Sequence, residues 1–354
     1  MAAPRAVCRP RSAGHAADDV RAFSAHPAAR RVLDLAHAMM PIPTRRALLK
    51  LGTLPVSSAL SGCAVQPGGQ AAADLEHAPP VALPGTRQID LAAGTRRHRI
   101  MLAVPPAPPP AQGWPVLYLL DGDLLFALAA QLMRNRYARG PGGAAPGVLI
   151  VGMGHAGGQA AGQVLDLDAR SQDYTPPAPG PATSERGRPE GGADAFLDFI
   201  DAVVRPMVAR AAPVDAARQT FFGHSYGGLC VLHALFTRPG GFQTYVAASP
   251  SVWWRGGFIV QEQERFTARR RADACALRLL LTQGAREAAP PADPARAAIA
   301  RERHAGEHLQ ALIRGLRGTP GLALQFTSFA GADHGSSMAP AVQQALAWAA
   351  GDQA

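Results

Sequence analysis

The sequence predicts an α/β fold: a mostly parallel central sheet with helices on both faces and an antiparallel hairpin at its start. Three observations predict it. Short, continuously apolar runs alternate with segments of helical periodicity from residue 86 to the end of the chain. The apolar runs lack the in–out alternation of a half-solvated sheet, so they read as strands covered on both faces. A glycine-flanked serine also stands between one such run and a helix-compatible stretch.

The elements follow in order. Arg87 to Val104 holds two strand-like runs around Ala93-Gly94, the predicted hairpin. Pro105 to Gly113 is a proline-rich connection, and Val116 to Leu120 is a buried strand. Leu124 to Arg136 is helical, and Val148 to Val151 is the next strand. Residues 154–192 are rich in Gly, Pro, Ser and Thr and read as one long loop, a feature that is usually functional or disordered. Phe196, Phe199, Ile200, Val203, Val204 and Met207 recur at helical spacing. Thr220 to Phe222 is a strand, Tyr226 to Phe236 a helix, and Tyr245–Ala248, Leu279–Leu281 and Leu322–Phe326 three further strands. Helices are expected over Pro294–Leu316 and Pro340–Ala350.

Composition narrows the classes. Of 354 residues 47% are hydrophobic and 17% charged, which excludes a polar disordered chain. The net charge is +9, but residues 1–63 hold nine of the 35 basic residues and only three of the 26 acidic ones. The body carries no stripe of basic residues interleaved with aromatics, so a nucleic-acid partner is not expected. All basic residues but Lys50 are arginine, which reads as coding bias.

The N-terminal part reads as an address. Thr44-Arg45-Arg46-Ala47-Leu48-Leu49-Lys50 is followed by an apolar stretch to Leu60 and then Ser61-Gly62-Cys63. A charged start, a short apolar middle and a small-residue end make an export signal. The arginine pair is like a twin-arginine signal, and Leu60–Cys63 is like a lipobox with Cys63 as the lipidated residue. The expected organisation is an extension over 1–39, the signal over 40–63, a flexible tether over 64–85 and one domain over 86–350. That organisation predicts a protein of the periplasm or cell envelope, held to the membrane by a lipid. Cys230 and Cys275 are the cysteines of the body; a pair is open to them, and a buried thiol at Cys230 is the reading the residues favour.

The chemistry gathers at strand ends. Gly223-His224-Ser225-Tyr226-Gly227 fits G-x-S-x-G between a strand and a helix, where a sharp turn exposes a serine above the sheet. Ser225 is the candidate nucleophile, and the Tyr226 N–H points toward a developing oxyanion. A serine needs a base. His334 lies 109 residues downstream, past the last strand, where a loop can carry an imidazole over the serine. The acid should follow the strand Leu279–Leu281; Glu287 and Asp293 are the candidates, and a Ser–His dyad oriented by a backbone carbonyl is the third option. Asp333 reads as a cap of the last helix. The second oxyanion donor is expected from Gly122 or Asp123, after the strand Val116–Leu120. His304 and His308 stand at i, i+4 without a third ligand and read as a solvated face.

Five blocks occur in order: Leu117-Tyr118-Leu119-Leu120-Asp121-Gly122-Asp123, Arg170-Ser171-Gln172-Asp173-Tyr174-Thr175-Pro176, Gly223–Gly228, Ala248-Ser249-Pro250-Ser251-Val252-Trp253-Trp254 and Asp333-His334-Gly335. Together the chain resembles the putative-esterase family of α/β-hydrolases, and within it the periplasmic siderophore esterases that open enterobactin- and salmochelin-type trilactones. The resemblance spans about residues 86–350 and implies an α/β-hydrolase fold, no metal or other cofactor, and hydrolysis of carboxylic esters through an acyl-enzyme. It also implies a Ser–His pair without a strong acid. The partner it implies is a small-molecule ester, with a ferric siderophore as the specific case. Arg170 and Tyr174, in the second block, and Trp253 and Trp254, in the fourth, are the expected substrate contacts, arginine for anionic oxygens and tryptophan for stacking. Acyl transfer on the same fold, and a non-catalytic envelope lipoprotein binding an iron chelator, are the alternatives.

Overall fold

The computed structural model describes residues 78–352, apart from Thr95, 139–146, 158–162, Asp273 and 290–292. The extension, the signal, Cys63 and most of the tether lie outside the described residues. The described residues from Ala82 onward belong to one compact unit, and only that unit is described below.

Eight strands form one sheet in the order β1-β2-β4-β3-β5-β6-β7-β8. They span Thr86–Ala93, Arg96–Ala103, Trp114–Leu119, Leu149–His155, Val214–His224, Thr244–Ala248, Leu277–Gly284 and Leu322–Phe329. β1 and β2 pair antiparallel, with Ala93 opposite Arg96 at the hairpin end, and β2 pairs antiparallel with β4. From β4 to β8 every pairing is parallel. This is the α/β-hydrolase arrangement that the sequence predicts.

Burial explains the strand composition. β3 and β4 are buried along their whole length, whereas edge strand β8 alternates. The two faces of β3 feed two cores. Val116, Tyr118 and Leu120 pack with Phe196, Leu229, Ile259 and Leu312. Leu117 and Leu119 pack with Leu125, Phe126, Val342 and Leu346. The second face is covered by α1 (Gly122–Ala138) and α9 (Met338–Ala350). The first is covered by α3 (Ala193–Phe199), α5 (Tyr226–Thr237), α6 (Trp254–Arg269) and α8 (Ala305–Leu316).

Two segments depart from expectation. The predicted loop 154–192 contains helix α2, Leu167–Tyr174, whose first N–H groups are capped by the Asp166 carboxylate. The helix is short and mostly polar, which hides it in the sequence, although Ser171, Asp173 and Tyr174 are buried. The helix expected over Pro294–Leu316 is two, α7 (Pro294–Arg303) and α8, because His304 adopts a left-handed φ of 45°. α4 (Arg205–Ala211) continues α3 through a π-helical stretch at Ile200–Val204.

Candidate active site

Ser225 sits at the turn from β5 into α5 with φ 59° and ψ −116°, a strained conformation for a residue with a side chain. Close packing enforces the turn. A Cβ on Gly223 would lie 2.2 Å from the Gly227 carbonyl oxygen, so this position must be glycine. A Cβ on Gly227 would meet only ordinary contacts at 3.5 Å, so the second motif glycine is not sterically required. Gly228 is tighter, 3.0 Å from the Ala248 oxygen. The Ser225 N–H donates to Ala248 O (2.9 Å), which ties the turn to β6.

His334 lies on the turn between β8 and α9. Its Nδ1 donates to Glu287 Oε2 at 2.8 Å. Glu287 sits in a short 3₁₀ turn, Ala285–Ala288, directly after β7. Its other oxygen accepts from Ser249 Oγ and from the Gly284 N–H, both at 2.7 Å. Burial raises the Glu287 pKa, but the hydrogen bonds from His334, Ser249 and Gly284 outweigh it and hold the carboxyl below its ordinary range. Gly284 lets the two loops meet: a Cβ there would lie 2.6 Å from Ala332 O and 2.7 Å from Asp333 O. Asp333 does not cap α9. It accepts from the Ser336 N–H (2.9 Å) and hydroxyl (2.8 Å), and so closes the turn that carries His334.

His224, adjacent to the nucleophile, is a residue whose part sequence reasoning missed. Its Nε2 donates to His334 O at 2.8 Å, and the two rings lie 4.6 Å apart. Burial, then the neighbouring His334, pushes its pKa down to about 4, so it is a neutral donor. The His334 oxygen also accepts from Ser337 Oγ at 3.0 Å. Ser225 Oγ lies 3.3 Å from Ser251 Oγ; among the described residues it makes no hydrogen bond with His334. Ser249, at φ 41°, and Ser251 belong to the Ser-Pro-Ser block, which is the signal that could have found them.

Gly122 and Tyr226 are the first residues of α1 and α5, so their N–H groups have no partner inside their helices. Asp121, with φ 53°, precedes Gly122 and is locked in place. Its carboxylate accepts both prongs of Arg170, at 2.7 and 2.9 Å, and its N–H donates to Tyr174 Oη at 3.1 Å. The Asp123 carboxylate is engaged with Arg99 Nη1 (3.2 Å) and the His155 N–H (2.8 Å).

The expected substrate contacts divide. Arg170 spends its fork on Asp121 and donates a further bond to His224 O at 3.0 Å, so it braces the turn at Asp121 against the end of β5. Tyr174 is completely buried and cannot touch a substrate. Trp254 is also buried, its indole N–H donating to Glu190 Oε1 at 3.0 Å. Trp253 is half-buried, 6.1 Å from the Tyr226 ring, with the Arg303 guanidinium 3.7 Å above its own ring. Cys230 is buried and free, so the pair with Cys275 is not made. Desolvation pushes its thiol far up. His304 pairs with Glu307 (3.1 Å) at the surface.

Residues 92–321 match the Putative esterase family. The chain belongs to that family. Among its relatives, the ferri-bacillibactin esterase BesA of Bacillus subtilis (strain 168) is 35% identical over 209 residues, covering 57% of this chain and 71% of that protein. The siderophore triacetylfusarinine C esterase of Aspergillus fumigatus is 38% identical over 243 residues, covering 66% and 80%. Among solved structures, the siderophore hydrolase EstB from Aspergillus nidulans superposes with a TM-score of 0.67 at 31% identity, covering 77% of this chain and 97% of that one. As a member of the Putative esterase family, the chain is an ester-hydrolysing enzyme. The family match includes the serine turn and Glu287 and ends before the turn that carries His334.

Proposed function

We propose that the protein is a serine esterase that hydrolyses siderophore-type carboxylic esters through an acyl-enzyme. The observation that carries the mechanism is the 2.8 Å bond from His334 Nδ1 to Glu287, beside the Ser225 turn. That bond fixes the tautomer in which Nε2 carries the lone pair, which a general base needs. Ser225 Oγ attacks the ester carbonyl as its proton passes to Nε2. The N–H groups of Tyr226 and of Gly122 or Asp123 receive the oxyanion, a donor of this kind contributing roughly 3 kcal/mol to the transition state. His334 then protonates the leaving alcohol and activates water for deacylation. The serine must turn from Ser251 toward His334, and catalytic hydrogen bonds commonly tighten once substrate is bound.

The substrate class rests on the relatives, which are named for siderophore esters. The half-buried Trp253 supports it, an aromatic surface with the Arg303 cation stacked on it and 6.1 Å from the ring of Tyr226, the residue after the nucleophile. Family membership favours hydrolysis over acyl transfer and over a non-catalytic chelator-binding lipoprotein. Placement in the periplasm or cell envelope, by a twin-arginine-like signal with Cys63 lipidated, belongs to the same reading. The described residues contain no helix long and apolar enough to cross a membrane.

The test is covalent labelling. A fluorophosphonate probe should modify Ser225 in the folded protein, and Ser225→Ala should lose both labelling and ester turnover, on the order of 10⁶-fold in kcat. Turnover retained by a folded Ser225→Ala protein would remove Ser225 from the mechanism.

A further inference from the structure

A second cluster of chemically capable side chains lies outside the ester site. His98 on β2 and His155 on β4 are directly opposite in the antiparallel register, so both point to the same face. Asp173 on α2 closes over them. All three are buried, with 3%, 4% and 0% of their surfaces exposed. His155 Nε2 lies 2.9 Å and His98 Nδ1 3.6 Å from the same oxygen, Asp173 Oδ2. One donor atom from each residue falls within 4.8 Å of the other two.

We propose that His98 Nδ1, His155 Nε2 and Asp173 Oδ2 bind a divalent transition-metal ion of the zinc type. The spacing fits. Metal–ligand bonds of about 2.0–2.1 Å in tetrahedral geometry give ligand–ligand edges of about 3.3–3.4 Å. The His98–Asp173 edge, 3.6 Å, is close to that value, and the 2.9 Å contact of His155 Nε2 with Asp173 is a hydrogen bond that an entering ion would replace. Two imidazoles and a carboxylate are also the donor set that zinc and its neighbours take. His98 Nδ1 has no hydrogen-bond partner among the described residues. A buried polar atom left so costs about 1–3 kcal/mol, and an ion would satisfy it.

Arg96 is the competing group. It stands two residues before His98 on β2 and its guanidinium presses on Asp173 Oδ1, the oxygen that the ion does not use. Its side chain is 30% exposed, so it can turn toward solvent as a dication enters. An ion here would tie β2, β4 and α2 together next to the oxyanion loop. Asp173 adjoins Tyr174, which accepts from the Asp121 N–H, and the His155 N–H donates to Asp123. Its role would be to stiffen that loop, not to take part in the ester chemistry, so the inference stands apart from the serine mechanism.

The experiment is a titration of the chelator-stripped full chain with zinc and with cobalt(II). One equivalent should bind, cobalt should show the visible absorption of a four-coordinate nitrogen and oxygen site without thiolate charge transfer, and zinc should raise the thermal midpoint. Asp173→Asn should weaken binding at least about tenfold. Because that variant can fail to fold, Arg96→Gln is the second arm; it removes the competing charge and should strengthen binding by a similar factor. The paired change His304→Ala and His308→Ala should leave binding unchanged. Absence of a stoichiometric site in both the native chain and Arg96→Gln would overturn the proposal. So would binding that is unaffected by Asp173→Asn in a folded protein, or binding that is lost with His304 and His308.

Discussion

Two histidine–carboxylate pairs in this protein are built from the same chemistry and put to different uses. His334 donates Nδ1–H to Glu287 at 2.8 Å, and its side chain is 52% exposed at the rim of the sheet. His233, on α5, is 1% exposed; its Nδ1 meets Glu262 at 2.8 Å and its Nε2 meets Asp194 at 3.2 Å. Both nitrogens of His233 are occupied, so it can neither take nor give a proton to a ligand. Among the described residues, His334 Nε2 has no hydrogen-bond partner and faces solvent. A carboxylate beside an imidazole is therefore poor evidence for catalysis by itself. What separates the two histidines is the second nitrogen.

Removing the rim imidazole breaks the comparison most severely. His334→Ala should lower kcat for a p-nitrophenyl ester on the order of 10⁵- to 10⁶-fold, with circular dichroism unchanged. A loss below about 100-fold would mean that another group takes the serine proton. Glu287→Gln keeps the shape but takes away the charge that stabilises imidazolium. Its expected cost is on the order of 10³-fold in kcat. A loss under about tenfold would favour a dyad that functions without a charged acid.

The buried histidine should answer differently. His233→Ala leaves the buried Glu262 carboxylate unpaired and should destabilise the fold by about 3 kcal/mol in urea denaturation. The kcat of the folded fraction should stay within a factor of about two. A kcat loss larger than the stability loss explains would place His233 in the chemistry after all.

Much of this division was legible in the sequence, and the part that was not has a common cause. Ser225 and His334 announce themselves through strand–turn–helix context and chain order, because a sharp turn and a loop after the last strand are local features. The position of Glu287 followed from β7, but its preference over Asp293 did not. That preference depends on Gly284, where an added Cβ would lie 2.6 Å from Ala332 O, letting two distant loops meet. Arg170, Tyr174 and Trp254 carried the right residue types for substrate contact and turned out to be scaffolding, each paired with a group far away in sequence. The buried trio His98, His155 and Asp173 left no local trace either, since a β2–β4 register and an unrecognised helix bring it together. The N–H of Asp121 and the imidazole of His155 likewise owe their surroundings to long-range packing, which residue spacing does not encode.

The smallest predicted effect concerns His224, which stands between the two classes: buried like His233, yet bonded to the backbone of His334. On the proposed mechanism it positions the base through the His334 carbonyl. His224→Gln, which can still donate to His334 O, should lose less than about threefold in kcat, and His224→Ala about tenfold, with KM unchanged in both. The pH dependence provides a readout of a different kind. The folded-state pKa of His224 lies near 4, below its ordinary value of 6.5. Between those values the unfolded chain binds the extra proton, so stability falls as pH drops from about 6.5 toward 4. His233 has the opposite sign: burial lowers its pKa, but Asp194 and Glu262 outweigh burial and raise it. Its contribution is complete below about 6.5 and is lost as pH rises through the folded value. His224→Gln should flatten only the acid limb, by up to one proton, or about 1.4 kcal/mol per pH unit. His233→Ala should flatten only the alkaline limb. If His224→Gln left the acid limb as steep as before, its imidazole would not be held neutral in the fold.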